Sequence, residues 1–116
     1  MKHDIDLFRR ILQEIEALPP KTQLTRFPYP EYDQSIVLAH IGILEDEKLI
    51  DAKTYRNGVP KTVRKFWITG LTWKGADLLE KMGNDSFFKK AKDEFIKTSP
   101  SLLISAFWEF LKTLLK

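Results

Sequence analysis

Cysteine is absent from the 116 residues, which excludes a disulfide framework, a thiolate metal site and a thiol nucleophile. Histidine is scarce. His3 and His40 are the only two, and neither has a histidine or cysteine partner at metal-ligand spacing. Asp4 and Asp6 lie near His3, where a solvated helix start is the plainer reading than a cation site. The five glycines form no phosphate-cradling loop and no nucleophile elbow. No apolar run reaches the ~18 residues that a bilayer span needs. The nearest, Leu102 to Leu115, is broken by Ser105, Glu109, Lys112 and Thr113. Asp4 and Asp6 also stand where a secretory leader would turn apolar, so the expectation is no leader and a cytoplasmic protein. Repeats, linkers and low-complexity segments are missing. These absences argue against an enzyme, and against a cofactor, a metal, a small-molecule ligand or a membrane as partner.

What is present suits one folded domain. Apolar residues make up 43% and charged residues 30%, and eight Phe, three Trp and three Tyr supply bulk for a core. The charge is unevenly spread. Residues 1–50 hold six Lys/Arg against nine Asp/Glu, whereas residues 51–74 hold six Lys/Arg against one Asp. Positive charge is thus concentrated in one short central segment.

The apolar periodicity predicts a first helix through Ile5, Phe8, Ile11, Leu12 and Ile15, ended by Pro19-Pro20. Lys21 to Tyr32, with Pro28 and Pro30, has room only for a short edge strand over Gln23 to Phe27. Asp33 is the expected N-cap of a second helix to about Lys48. Asn57-Gly58 predicts a two-residue hairpin turn, with strands over Ile50 to Ile68. Tyr55 then faces Pro60, Thr54 faces Lys61 and Ala52 faces Val63. Thr72 is expected to cap a third helix to Met82 that buries Trp73, Ala76, Leu79 and Met82. Gly83-Asn84-Asp85 breaks it. Phe87, Phe88, Ala91, Phe95 and Ile96 mark a fourth helix, and Ser99-Pro100 opens a fifth. The expected fold is α+β and winged-helix-like (helix, helix, β-hairpin wing, helix) with two additional C-terminal helices. The core would lie in residues 1–82 and the helical extension in 83–116.

Met1 to Leu12 resembles the opening of a bacterial and phage domain-of-unknown-function family, numbered 2513. So do Ala39-His40-Ile41, Leu44 with Leu49-Ile50, Leu71-Thr72-Trp73-Lys74-Gly75, and Asn84-Asp85 before an aromatic. The resemblance implies a winged-helix-like fold and carries no established activity. Two departures stand out. The family often has Gly before the Leu-Ile pair, where a helix ends in a left-handed residue; here it is Lys48, at a cost of ~1 kcal/mol. The family also often has His where this chain has Ala76.

Two candidate surfaces follow. The expected wing carries Lys53, Arg56, Lys61, Arg64 and Lys65, a basic hairpin able to lie along a phosphate backbone. Exposed hairpins also use such residues for solubility and edge protection, and the two readings weigh about equally. The helix before it, in the recognition position, has no Lys or Arg from Asp33 to Glu47 and four carboxylates. Glu45-Asp46-Glu47 reads as a solvated helix end, and His40 as a satisfied, partly buried side chain. Ser35, Ala39, Gly42 and Asp46 share a face of mostly small residues, opposite Val37, Ile41, Leu44 and Lys48. That face argues against base readout and for close packing. The last helix is apolar on two sides, one for the domain core and the second for either another core wall or another protomer; the leading expectation places Phe107, Trp108, Phe110, Leu111 and Leu114 at a homodimer interface. The leading expectation is a phage-type or bacterial regulatory protein that binds DNA weakly through its wing. The competing one is a protein-interaction module that keeps the frame without DNA readout.

Overall fold

A computed structural model describes residues 4–27, 30–98 and 104–114. Among them the order is α1 (Asp4–Glu16), α2 (Gln34–Asp46), β1 (Ile50–Asn57), β2 (Thr62–Leu71), α3 (Trp73–Met82), α4 (Asp85–Thr98) and α5 (Ile104–Leu114). The described residues form a mixed α+β fold of five helices around one antiparallel hairpin. The N-cap of α5 expected at Ser99-Pro100, like His3, lies outside the described residues.

Helix α1 is the axis of the core. Ile5, Phe8, Ile11, Leu12 and Ile15 are all buried, and so is Leu7, which lies off that stripe. A single stripe would suffice for a helix covered on one side. Here α2, α3 and β2 pack against α1 and so does α5, which closes its remaining side. Phe107 of α5 meets Phe8 of α1 edge-on at 6.1 Å and Phe95 of α4 at 5.3 Å between ring centroids. Lys92–Asp6 (2.9 Å) and an Arg9–Asp85 pair tie α4 to α1 at the surface, and the Arg9 guanidinium stacks 4.7 Å over Phe88.

Both ends of α2 are set by local chemistry. Asp33 accepts from the Ser35 N–H (2.9 Å) and hydroxyl (3.0 Å), and these bonds hold its carboxyl below the usual aspartate pKa. At the other end Lys48 has φ 59°, the left-handed conformation that the family resemblance implied there. Its N–H donates to the Glu45 carbonyl (3.0 Å) and the Leu49 N–H to the Leu44 carbonyl (2.9 Å), a Schellman pair. Thr72 caps α3 by accepting from the Gly75 N–H (3.1 Å), while its hydroxyl donates to the Lys48 carbonyl (2.6 Å). The end of α2 and the start of α3 are thus welded together.

That weld changes which face of α3 is buried. A Cβ on Gly75 would lie 1.9 Å from the Leu49 carbonyl oxygen, so this turn of α3 touches backbone directly. The buried residues are Gly75, Leu78, Leu79 and Met82, not the expected Trp73 and Ala76, which are exposed. Glycine has no apolar weight in a periodicity count, and the stripe read from side chains alone was rotated. On α4, Phe88, Ala91 and Phe95 are buried, but Ile96 is 41% exposed.

The hairpin also departs from expectation. Its register pairs Asn57 with Thr62, Arg56 with Val63, Tyr55 with Lys65, Thr54 with Phe66 and Lys53 with Trp67. The connection is therefore four residues, Gly58 to Lys61, with only Gly58 at positive φ (97°), and Pro60 sits in the turn rather than in a ladder. The strands run on to Leu71, beyond the expected Ile68. Arg64 is skipped between the partners of Tyr55 and Arg56, a bulge that realigns the strands after the longer turn. The edge strand expected over Gln23 to Phe27 is reduced to one bridge, Leu24 with Ile68. Phe27 still stacks on Phe66 at 5.6 Å, anchoring this segment to the hairpin.

Candidate functional site

The hairpin has two chemically different faces. Inward, Val63, Phe66 and Ile68 are buried, with Ala52, Thr54 and Arg56 half-buried beside them. Arg56 of the expected basic set belongs to this inner side. Its Nη2 reaches Glu45 Oε1 at 2.6 Å and Asp46 Oδ1 at 2.9 Å, and Thr54 donates to the same Glu45 oxygen at 2.7 Å. Hydrogen bonds to Glu45 first, then Asp46, push the guanidinium pKa up. The acidic end of α2 is accordingly a clamp on the hairpin, not the solvated end that was expected. The charge of Arg56 is matched within the chain.

The other four cations are placed differently. Lys53, Lys61, Arg64 and Lys65 are exposed, and no ion pair joins any of them to a described residue. Asp51 is the only carboxylate between residues 50 and 71. The unmatched positive charge of the central segment is therefore carried on the hairpin's solvent side.

Sequence reading missed the aromatics that share this side. Tyr55 is 52% and Trp67 38% exposed, and the register sets them opposite Lys65 and Lys53. The outer face is a two-by-two checkerboard of ring and ammonium. The alternation Lys53-x-Tyr55 and Lys65-x-Trp67 was legible as period two, but pairing it across strands needed the register. Beside Trp67 a groove of about 710 Å³ is lined by Arg26, Arg64, Lys65 and Gln34 among others.

The recognition-position helix offers no such surface. Val37, Ile41 and Leu44 are buried as expected, and Ser35, Ala39 and Asp46 are exposed. Gly42 is not on an open face; it is buried, with a Cβ there 3.4 Å from Val63. His40 is buried too, its Nδ1 2.8 Å from the Ile36 carbonyl, so it is a structural side chain. Trp73, 96% exposed at the start of α3, is a third exposed aromatic, one that the periodicity had placed in the core.

The α5 residues expected at an interface pack within this chain. Phe107, Trp108 and Leu111 are buried by this chain's own core, and Phe110 packs half-buried against Phe95 at 5.6 Å. Trp108 lies between Phe8 (6.3 Å) and the Lys74 and Lys112 ammonium groups, 5.5 and 5.6 Å from its ring centroid. Helix α5 packs against both α1 and α4. The side chain of Leu114 lies outside what is described. No group of metal-ligating side chains occurs among the described residues, and no described helix is long and apolar enough to cross a membrane.

A family model described as "Hypothetical protein (DUF2513)" matches residues 2–101. The chain is also 28% identical to an "Uncharacterized protein" of Haemophilus influenzae, across 99% of this chain and 96% of that protein. No solved structure matches it.

Proposed function

This chain belongs to the DUF2513 family, and we propose that it is a winged-helix-like protein that binds nucleic acid through its hairpin. The observation that carries the reading is the set of four exposed cations, Lys53, Lys61, Arg64 and Lys65, unmatched among the described residues while Arg56 is clamped. Winged-helix likeness is supported by the element order and by the Leu24–Ile68 bridge, where the third strand of a wing sheet would pair. In this reading the hairpin is the wing. It contacts phosphates, and α2 serves as its support, having no Lys or Arg to read bases and its His40 buried. Binding is weak and salt-dependent, as befits a regulatory protein of bacterial or phage origin.

The test is anisotropy with a labelled random duplex across a salt series. Four phosphate contacts predict a slope of about −3 to −4 in log K against log salt. Replacing Lys53, Lys61, Arg64 and Lys65 with Ser should abolish binding. Unchanged affinity in that variant, or no binding of either duplex or single strand by the parent at low salt, refutes the reading. The exposed Trp73 favours a second reading, a protein-interaction module on the same frame. It requires that Trp73→Ala abolish a protein contact and leave nucleic-acid affinity unchanged.

A further inference from the structure

We infer that the outer face of the hairpin is a stacking platform for unpaired bases, so that the ligand is single-stranded nucleic acid rather than duplex. The inference rests on the wing-led reading and adds the form of the ligand. Its starting point is the register: Lys53 stands opposite Trp67 and Tyr55 opposite Lys65, so all four side chains share one face. Tyr55 and Trp67 keep 52% and 38% of their surface in water, although the opposite face of the same strands is buried in the core. Large rings left at the surface in a cluster mark a contact area.

The chemistry of that area is specific. Two rings offer π faces, and the adjoining ammonium groups offer charge with no carboxylate from Ala52 to Leu71 to oppose it. A peptide partner would need matching acidic and apolar groups. A nucleic-acid strand carries both complements on every nucleotide, a phosphate and a flat base. In a duplex, however, bases are stacked on one another and their faces are hidden. Phosphate contacts are available from either form, whereas Tyr55 and Trp67 gain only from the unpaired one. The groove beside Trp67, about 710 Å³ and bordered by Arg26, Arg64 and Gln34, continues the track with a cleft of small-ligand size.

The experiment compares a 20-nucleotide oligothymidylate with a 20-base-pair duplex at fixed salt, using the full chain. The parent should bind the single strand at least about tenfold more tightly. Tyr55→Thr with Trp67→Thr, both good strand formers, should lower single-strand affinity about 10- to 100-fold and duplex affinity less than about twofold. If the parent prefers duplex, or the double variant weakens both forms equally, the platform is overturned while wing-led binding stands. If the parent binds neither form, or the four-cation Ser variant retains both affinities, the underlying reading fails as well. Should the double variant not fold, a Trp73→Phe background leaves Trp67 as the one indole that a ligand can reach and quench by contact, because Trp108 is buried. Quenching by the single strand but not by duplex is expected there, and no quenching by either would overturn the inference.

Discussion

The last helix and the hairpin are the two aromatic-bearing regions whose roles invite comparison. In α5, Phe107, Trp108 and Leu111 are closed off by α1 and α4. In the hairpin, Tyr55 and Trp67 remain open to solvent with lysines beside them. By local apolarity α5 looked like the surface in search of a partner and the hairpin like a merely basic loop. The contrast arises because α5 has neighbours on two sides, whereas a two-stranded sheet covered on one side has a free second face. Density of apolar residues measures how much cover an element needs. It does not measure how much cover it receives.

The strongest test of this contrast is Trp108→Ala. Removing a buried indole that packs on Phe8 should cost about 3–5 kcal/mol, seen as a large drop in melting temperature. Solution mass and nucleic-acid affinity should be unchanged. A fall from dimer to monomer by light scattering, without loss of stability, would instead return Trp108 to an interface.

Arg56→Ala separates the clamped arginine from its free neighbours. It leaves Glu45 and Asp46 without their cation at a site where the Arg56 side chain is only 27% exposed. A loss of about 1–2 kcal/mol is expected by chemical denaturation. The salt slope of nucleic-acid binding should hold, whereas removing Lys65 alone should lower it by about 0.7 for a single strand or 0.9 for a duplex. A slope that falls equally for Arg56 would erase the distinction between the hairpin's faces.

Lys48→Gly is the smallest expected effect and runs the other way. Relieving a left-handed lysine should raise stability by roughly 0.5–1 kcal/mol, because the Schellman bonds at Glu45 and Leu44 need the conformation and not the side chain. If denaturation shows no gain, the lysine side chain contributes at this helix end.

Much of this architecture was legible in advance. The stripe Ile5, Phe8, Ile11, Leu12 and Ile15 located α1; Asp33 and Thr72 located two helix starts. The family resemblance implied a left-handed residue before Leu49-Ile50, which Lys48 supplies. Asn57-Gly58 marked where the hairpin turns, though not how many residues the turn takes. The basic segment was visible as composition, but neither the withdrawal of Arg56 nor the presence of Tyr55 and Trp67 beside the remaining cations could be read from it.

The division has a physical basis. Helix period, cap chemistry and the φ preference of a turn residue are properties of a few consecutive residues, so the sequence by itself determined the elements and most of their ends. Strand register, the bulge at Arg64, the rotation of α3 onto Gly75 and the pairing of Arg56 with Glu45 depend on groups brought together from separate elements. Only the tertiary structure decided those. With them it decided which charges and rings were used up inside the protein and which were left to face a partner, because burial is set by what packs above a residue and not by the residue itself.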